Sequence, residues 1–461
     1  MSTESIGALA DPHDERERWV RGAWVAALGV VIVGPALLWL AVESQWRGAA
    51  SPVSVWDRLS VITGLFALSA LVCATVVPSR IRSLNRAFGI ESVIEVHRFL
   101  GITAVALTLV HLAAVVALDP ANILLLNVAT APGRAVAAVL ATVSLVLLVG
   151  AAALRKRLRL PYDVWRFTHV GLAALTFVAA VLHVWWLNNT IRHAAMLATL
   201  VLLVVAVGGV AAYRWVWRGL LDPTTEFLVR EVRFESPTVS TLVLAPRDQE
   251  MGTGNWEFAP GQFAWLRLRR SVAAEEHPFT IASSAHLGCT EFTVRHAGDF
   301  TRTLRTLPPG SPVWVDGPHG AFTSDIGECG GFVLIAGGVG ITPMMSMLRT
   351  AADRRDRRPY RMIVVAGAPE DLLFREELGF LRSTLDLEVT EVLRRPRDGW
   401  DGHTGGIGVE LLAMVLRTVA RPDDVDFFVC GPPGIVTDAM NVLDTFDVAP
   451  ARVHTEFFDF V

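Results

Sequence analysis

The chain changes character near its middle. Up to about residue 217 the apolar positions gather into long unbroken runs, whereas beyond it they fall into short segments that alternate with polar residues, prolines and glycines. Six runs, near 20–42, 57–79, 97–118, 133–154, 167–187 and 194–215, are long enough to cross ~30 Å of hydrocarbon as helices rising ~1.5 Å per residue. After them, EFLVREVRFE, STLVLAP, FAWLRLRR, EFTVRHA and PVWVDG repeat with period two between turn residues, which predicts a small antiparallel barrel. FVLIAG, MIVVAG, LEVTEVL and FFVCG then alternate with helical stretches, the pattern of a parallel sheet wound with helices. The expected fold is multidomain: a tail over 1–19, a six-helix transmembrane bundle over 20–217, an antiparallel β-barrel domain over 218–326 and an α/β parallel-sheet domain over 327–461.

Composition agrees with this division. Hydrophobic residues make up 52% of 461 residues, too much for a wholly soluble chain of this length. The net charge of −4 gives no basis for nucleic-acid binding. Cys73, Cys289, Cys329 and Cys430 are scattered and form no CxxC pair, so neither a disulfide framework nor a zinc site is expected. Arg16, Arg18 and Arg21 precede span one, Arg80, Arg82 and Arg86 follow span two, and Arg155, Lys156, Arg157 and Arg159 follow span four. The opposite loops carry little beyond Arg47 and Arg192, with Trp185 and Trp186 as an aromatic anchor. The polar first twenty residues lack a signal-peptide core. The N-terminus and the domains after span six are therefore expected on the cytoplasmic side of a cell membrane, with the lipid bilayer as the main partner.

Two of the apolar runs carry histidines. His97 and His111 are fourteen residues apart, and His169 and His183 repeat that interval. Fourteen residues is nearly four helical turns, so both members of a pair face the same way, ~21 Å apart along the axis. A lone intramembrane histidine commonly hydrogen-bonds a neighbouring helix. Four at one spacing point instead to iron ligation, with one imidazole from each helix holding each of two stacked haems.

EEHPFTIASSA carries His277, Pro278, Phe279 and Thr280, then Ser283 and Ser284. With the histidine pairs upstream, this motif resembles the membrane ferric reductase and NADPH oxidase superfamily over nearly the whole chain after residue 20. The resemblance implies two b-type haems on His97/His169 and His111/His183, FAD held by His277 through Thr280 with Ser283 and Ser284, and NADH or NADPH as donor. Pro260-Gly261-Gln262-Phe263 would start the strand beside the flavin. Gly298-Asp299-Phe300-Thr301 looks like the family's Gly-x-x-Ser/Thr loop, with Thr301 ahead of a helix whose N-terminus suits a pyrophosphate. Gly337, Gly338, Gly340, Thr342 and Pro343 resemble the GGxGITP loop of ferredoxin-reductase-type nicotinamide domains. Cys430, Gly431 and Pro432 resemble their CGPP motif, where Cys430 would face the nicotinamide. Phe458, with Phe457 beside it, resembles the terminal aromatic that covers the flavin, and Cys430 and Phe458 are the residues expected nearest the chemistry.

The sequence also departs from its relatives. His319 stands where they usually carry Tyr or Phe. Glu370 after the second nicotinamide-domain strand favours a free ribose 2′-OH and hence NADH, whereas Arg375 or the Arg394, Arg395, Arg397 cluster could read a 2′-phosphate. Oxidase members tend to carry a further histidine four residues past the outer-haem ligand of span three, and Val115 stands there. The expectation is electron flow from NAD(P)H through FAD and two haems to a small-molecule acceptor outside, a ferric chelate ahead of oxygen. A superoxide-producing oxidase, or an electron-transfer subunit for an outside protein, are the other readings. The short loop DPANILLLNVATAPGR disfavours the last, and a protein partner is not required.

Overall fold

A computed structural model describes residues 12–46, 54–188, 190–247, 256–272, 274–326, 329–419 and 421–458. Arg47 lies outside them. The chain forms two compact units that divide between Trp217 and Arg218.

The first unit is helical: α1 (Pro12–Trp46), α2 (Val55–Val76), α3 (Arg82–Phe88), α4 (Ile90–Leu118), α5 (Gly133–Leu158), α6 (Tyr162–Leu187) and α7 (Ala194–Ala211), the last continuing as a wider π-helical stretch over Ala212–Leu221. Six of these helices are long and apolar enough to cross a membrane. Their ends follow local chemistry. Ser54 caps α2 by accepting from the N–H of Trp56 at 3.3 Å, and Pro132 and Pro161 stand immediately before α5 and α6. Three basic residues in the last turn of α5 meet the negative end of its dipole.

The third span starts at Ile90 rather than at 97. Glu91, Glu95 and Arg98 lower its hydropathy without breaking the helix, so His97 sits two turns inside instead of at its end. α2 packs along α4 and α5 along α6. Ala70 and Ala104 are buried in the core with Leu71, Leu100, Leu145 and Leu148, small residues letting the backbones approach. Ser144 and Thr176 share a buried hydrogen bond of 2.8 Å between α5 and α6.

In the second unit the first sheet comprises β1 (Glu226–Ser236), β2 (Val239–Pro246), β3 (Phe263–Arg267), β4 (His277–Thr280), β5 (Thr290–Arg295) and, after the short helix α8 (Asp299–Leu304), β6 (Pro312–His319). Its order is β4-β3-β6-β1-β2-β5, antiparallel throughout. A bridge between Ile281 and Phe292 joins the two ends into a barrel. Phe227, Leu242, Leu244, Leu266, Ile281 and Phe292 fill it.

The second sheet comprises β7 (Gly331–Gly337), β8 (Tyr360–Ala366), β9 (Leu387–Leu393), β10 (His403–Thr404), β11 (Val425–Gly431) and β12 (Val453–Phe457). Between them lie α9 (Ile341–Arg354), α10 (Arg375–Leu381), α11 (Val409–Leu416) and α12 (Pro433–Thr445). The order β10-β9-β8-β7-β11-β12 is wholly parallel. β7, β8 and β11 are buried at every position, as strands covered on both faces must be. Successive strands run one way from β7 and then resume on its other side with β11. The carboxyl ends of β7 and β11 are thus the switch point where such sheets form a ligand crevice.

Candidate functional site

α4 and α6 bring the four histidines together in pairs. The rings of His97 and His169 lie 6.0 Å apart between centroids, and those of His111 and His183 lie 6.3 Å apart. Nδ1 of His97 meets the carbonyl of Ala74 at 2.8 Å, that of His111 meets Ser60 at 2.6 Å, and that of His183 meets Arg134 at 2.8 Å. A carbonyl can only accept, so each of these rings carries its proton on Nδ1 and leaves the Nε2 lone pair for a metal. Nδ1 of His169 is buried with no hydrogen-bond partner among the described residues. Its ring packs on Trp165 at 5.2 Å, over which the Arg155 guanidinium lies at 4.8 Å. Sequence reasoning missed Gly64 on α2, where a Cβ would stand 3.1 Å from Nδ1 of His111. Its only sequence signal is a glycine in an apolar helix.

These spacings suit haem. A metal midway between two imidazoles, ~2 Å from each nitrogen, sets the ring centres ~6 Å apart. Each pair would supply one imidazole nitrogen from α4 and one from α6 to a haem iron. Among the described residues no group of three or more His, Cys, Asp or Glu gathers as an all-protein metal site. On α2, Arg58 pairs with Glu43 of α1 at 3.3 Å.

In the barrel, the HPFT motif is itself strand β4, with Thr280 opposite Phe263 and Pro278 opposite Trp265. Its proline concealed it, because proline enters sheets only where a ladder donor is dispensable. His277 meets Glu275 at 2.6 Å and packs on Phe300 at 4.4 Å, and Phe279 stacks on the same ring at 6.1 Å. The fold therefore joins HPFT to the Gly298–Thr301 loop through Phe300. Thr301 does not precede the helix there but is the third residue of α8. Its hydroxyl accepts from the N–H groups of Ala297 at 3.0 Å and Gly298 at 2.9 Å. Gln262 bonds the carbonyl of Gly320 at 2.9 Å, and His319 is buried beside Phe263. Ser283 and Ser284 sit on the face of the barrel that meets α9. The Ser284 hydroxyl donates to Asp353 at 2.5 Å, and the Ser283 carbonyl accepts from Ser346 at 2.8 Å.

At the switch point the glycines interlock two loops. A Cβ on Gly340 would come within 2.4 Å of the Cys430 carbonyl oxygen, and one on Gly337 within 2.5 Å of Ile435. A Cβ on Gly431 would stand 3.0 Å from the Gly337 backbone. Gly338, at φ +55°, has open space above it. Thr342 donates to the Val339 carbonyl at 2.9 Å, and Pro343 is buried in the first turn of α9. Cys430 is fully buried, whereas Pro432 is exposed. β12 pairs Phe457 with Gly431 and commits its ring to the sheet core, leaving Phe458 exposed just past it.

Arg375 is held by both oxygens of Glu391 at 2.7 Å each, and Arg397 reaches Glu370 at 2.7 Å. Arg394 instead lines a cavity of about 370 Å³ with Val365, Gly405, Gly406, Ile407 and Asp438, at the carboxyl ends of β8 and β9.

Three family descriptions match this chain in succession: "Ferric reductase like transmembrane component" over 63–180, "FAD-binding domain" over 242–321 and "Oxidoreductase NAD-binding domain" over 334–441. The NADH-cytochrome b5 reductase 1 of Pyricularia oryzae is 27% identical over 273 residues, spanning 55% of this chain and 84% of that protein. Its namesake in Aspergillus fumigatus is 31% identical over 163 residues, 34% of this chain and about half of that protein's length, at 52%. Sulfhydrogenase 1 subunit gamma of Pyrococcus furiosus is 30% identical over 203 residues, 43% and 67% of the respective lengths. Among solved structures, the FAD/NAD-binding domain of nitric oxide dioxygenase from Vibrio cholerae superposes with a TM-score of 0.45 at 24% identity, covering 51% of this chain and 98% of that one.

Proposed function

The chain belongs to the superfamily of membrane ferric reductases and NADPH oxidases, and from that membership we propose that it carries electrons from NAD(P)H through FAD and two b-type haems to an acceptor across the bilayer. The observation that carries this reading is the pairing of His97 with His169 and of His111 with His183 at 6.0 and 6.3 Å. The positive flanks of the spans support a cytoplasmic N-terminus and dehydrogenase unit, with His111 and His183 toward the outside. When bound, flavin accepts a hydride as two electrons and hands them singly to haem iron, which takes one at a time.

The chain's own residues position and tune these groups. The carbonyls of Ala74, Ser60 and Arg134 hold three imidazoles in the tautomer that presents Nε2 to iron. Pro278, Phe279 and Thr280 hold the flavin, Gly338 lets a dinucleotide pyrophosphate approach the start of α9, and Phe458 covers the flavin ring until the nicotinamide arrives. Cys430 lies at the nicotinamide end of the crevice. Glu370 favours NADH, and Arg394 is the arginine of its cluster that lines a cavity.

A ferric chelate is the preferred acceptor. Val115 gives an outer haem neither cation nor imidazole with which to hold superoxide. The test compares NAD(P)H oxidation by detergent-solubilised, FAD-loaded protein with a ferric chelate under anaerobic conditions against oxygen with a superoxide trap. Faster turnover with chelate is expected. Trapped superoxide that accounts for the whole electron flux, with no gain from chelate, would replace the reductase reading with an oxidase.

A further inference from the structure

The polar stripe of α9 has a task that neither cofactor motif explains. Ser346, Arg349, Thr350 and Asp353 recur at helical spacing on one face. Each bonds the barrel segment that continues directly from β4. Ser346 donates to the Ser283 carbonyl at 2.8 Å, Arg349 to the Ala282 carbonyl at 2.7 Å, Thr350 accepts from the Ala285 N–H at 3.0 Å, and Asp353 accepts from the Ser284 hydroxyl at 2.5 Å.

Arg349 is the centre of this seam. Its Nη1 also reaches Glu291 of β5 at 2.9 Å, while Nε and Nη2 grip both oxygens of Glu377 on α10 at 2.6 and 2.7 Å. A second arginine, Arg233 of β1, takes the other oxygen of Glu291 at 2.8 Å. The Arg349 side chain is 13% exposed and that of Glu291 8%, so this fork works where water screens little. One guanidinium thereby ties three pieces together: the residue two past HPFT, a barrel strand, and the sheet domain's α10. The same helix begins at the Gly337–Gly340 turn.

We propose that Arg349 is a positioning residue for hydride transfer, fixing the nicotinamide crevice at the start of α9 against the flavin site at β4. This rests on the reading of those two sites given above. The hydride leaves the nicotinamide with two electrons, giving NAD(P)+ and the anionic reduced flavin, and its rate depends on the approach of two rings held by different domains. A lysine cannot replace the fork, because one ammonium cannot span Glu291, Glu377 and a carbonyl at once.

The test uses the full-length, FAD-loaded protein in detergent and follows anaerobic flavin reduction by NADH in a stopped-flow instrument. For Arg349→Met we expect the reduction rate to fall by about tenfold to a hundredfold. The NADH–flavin charge-transfer absorbance should weaken, NADH affinity should change far less, and FAD content and the reoxidation of dithionite-reduced flavin should stay as in the parent. Arg349→Lys should recover only a small part. Should Arg349→Met not accumulate, Asp353→Ala, at an exposed position on the same stripe, should give a smaller loss of the same kind. An unchanged reduction rate and charge-transfer band in a folded variant overturns the proposal, as does a loss accounted for wholly by missing FAD. A parent protein whose flavin NADH cannot reduce would instead overturn the function proposed above.

Discussion

The two units differ in how they most visibly settle a polar group taken out of water. In the helical unit several side chains turn to backbone carbonyls: His97 to Ala74, His111 to Ser60, His183 to Arg134, Thr63 to Leu59 and Thr108 to Ala104. In the β-rich unit charges meet charges in shared networks, such as Arg349 with Glu291 and Glu377, Arg218 with Asp316, and Arg361 with Asp386. A local hydrogen bond fails alone, whereas a network fails together. The helical unit should therefore lose its functions one residue at a time, and independently of the other unit.

The largest break in that comparison comes from a ligand. His111→Leu should remove one of two low-spin haems and leave FAD in place, measured as haem and flavin per protein after purification. Loss of both haems would show that the pairs do not act separately, and a parent protein with fewer than two would sink the assignment of the pairs to haem. The reciprocal change is Pro278→Ala with Phe279→Ala, which should weaken FAD retention by about tenfold or more, ~1.4 kcal/mol, with haem content unchanged. Flavin affinity equal to the parent's would remove β4 from the site.

Nucleotide choice sharpens the comparison from the side of the β-rich unit. Glu391 and Glu370 hold Arg375 and Arg397, so NADH should match or exceed NADPH in steady-state rate at equal concentration. A hundredfold preference for NADPH would mean that a phosphate displaces those carboxylates or is read by Arg394. The smallest effect is expected at Gly64→Ala. The new methyl at 3.1 Å from the His111 ring should shift the absorption or midpoint of one haem without releasing it. A shift in both haems would argue against independence.

Much of the fold was legible because long apolar runs and period-two runs leave few other solutions. The histidine pairs stood out for a similar reason, since spacing survives folding into a helix unchanged. What escaped was set by contacts between elements. Ile90 begins a span whose first turns carry charges, and hydropathy alone places that start too late. Pro278 concealed a strand. Ser283 and Ser284 belong to the seam with α9, which no local pattern announces, and Gly64 matters only because a ring from another helix lies against it.

The interlocked loops at the end of β7 and β11 bear on how such sequences are compared across lineages. Gly340 is demanded by the Cys430 carbonyl 2.4 Å from where its Cβ would stand, whether or not any nucleotide ever binds. A descendant that abandoned dinucleotides but kept this sheet would still be forced to retain Gly340 and Gly431, whose Cβ atoms would meet backbone. Gly338 has open space around it, but its φ of +55° is one that L side chains rarely adopt, so the backbone holds it as well. The glycines of the GGVG string thus record the turn that the fold requires, and their retention alone would not report a nucleotide.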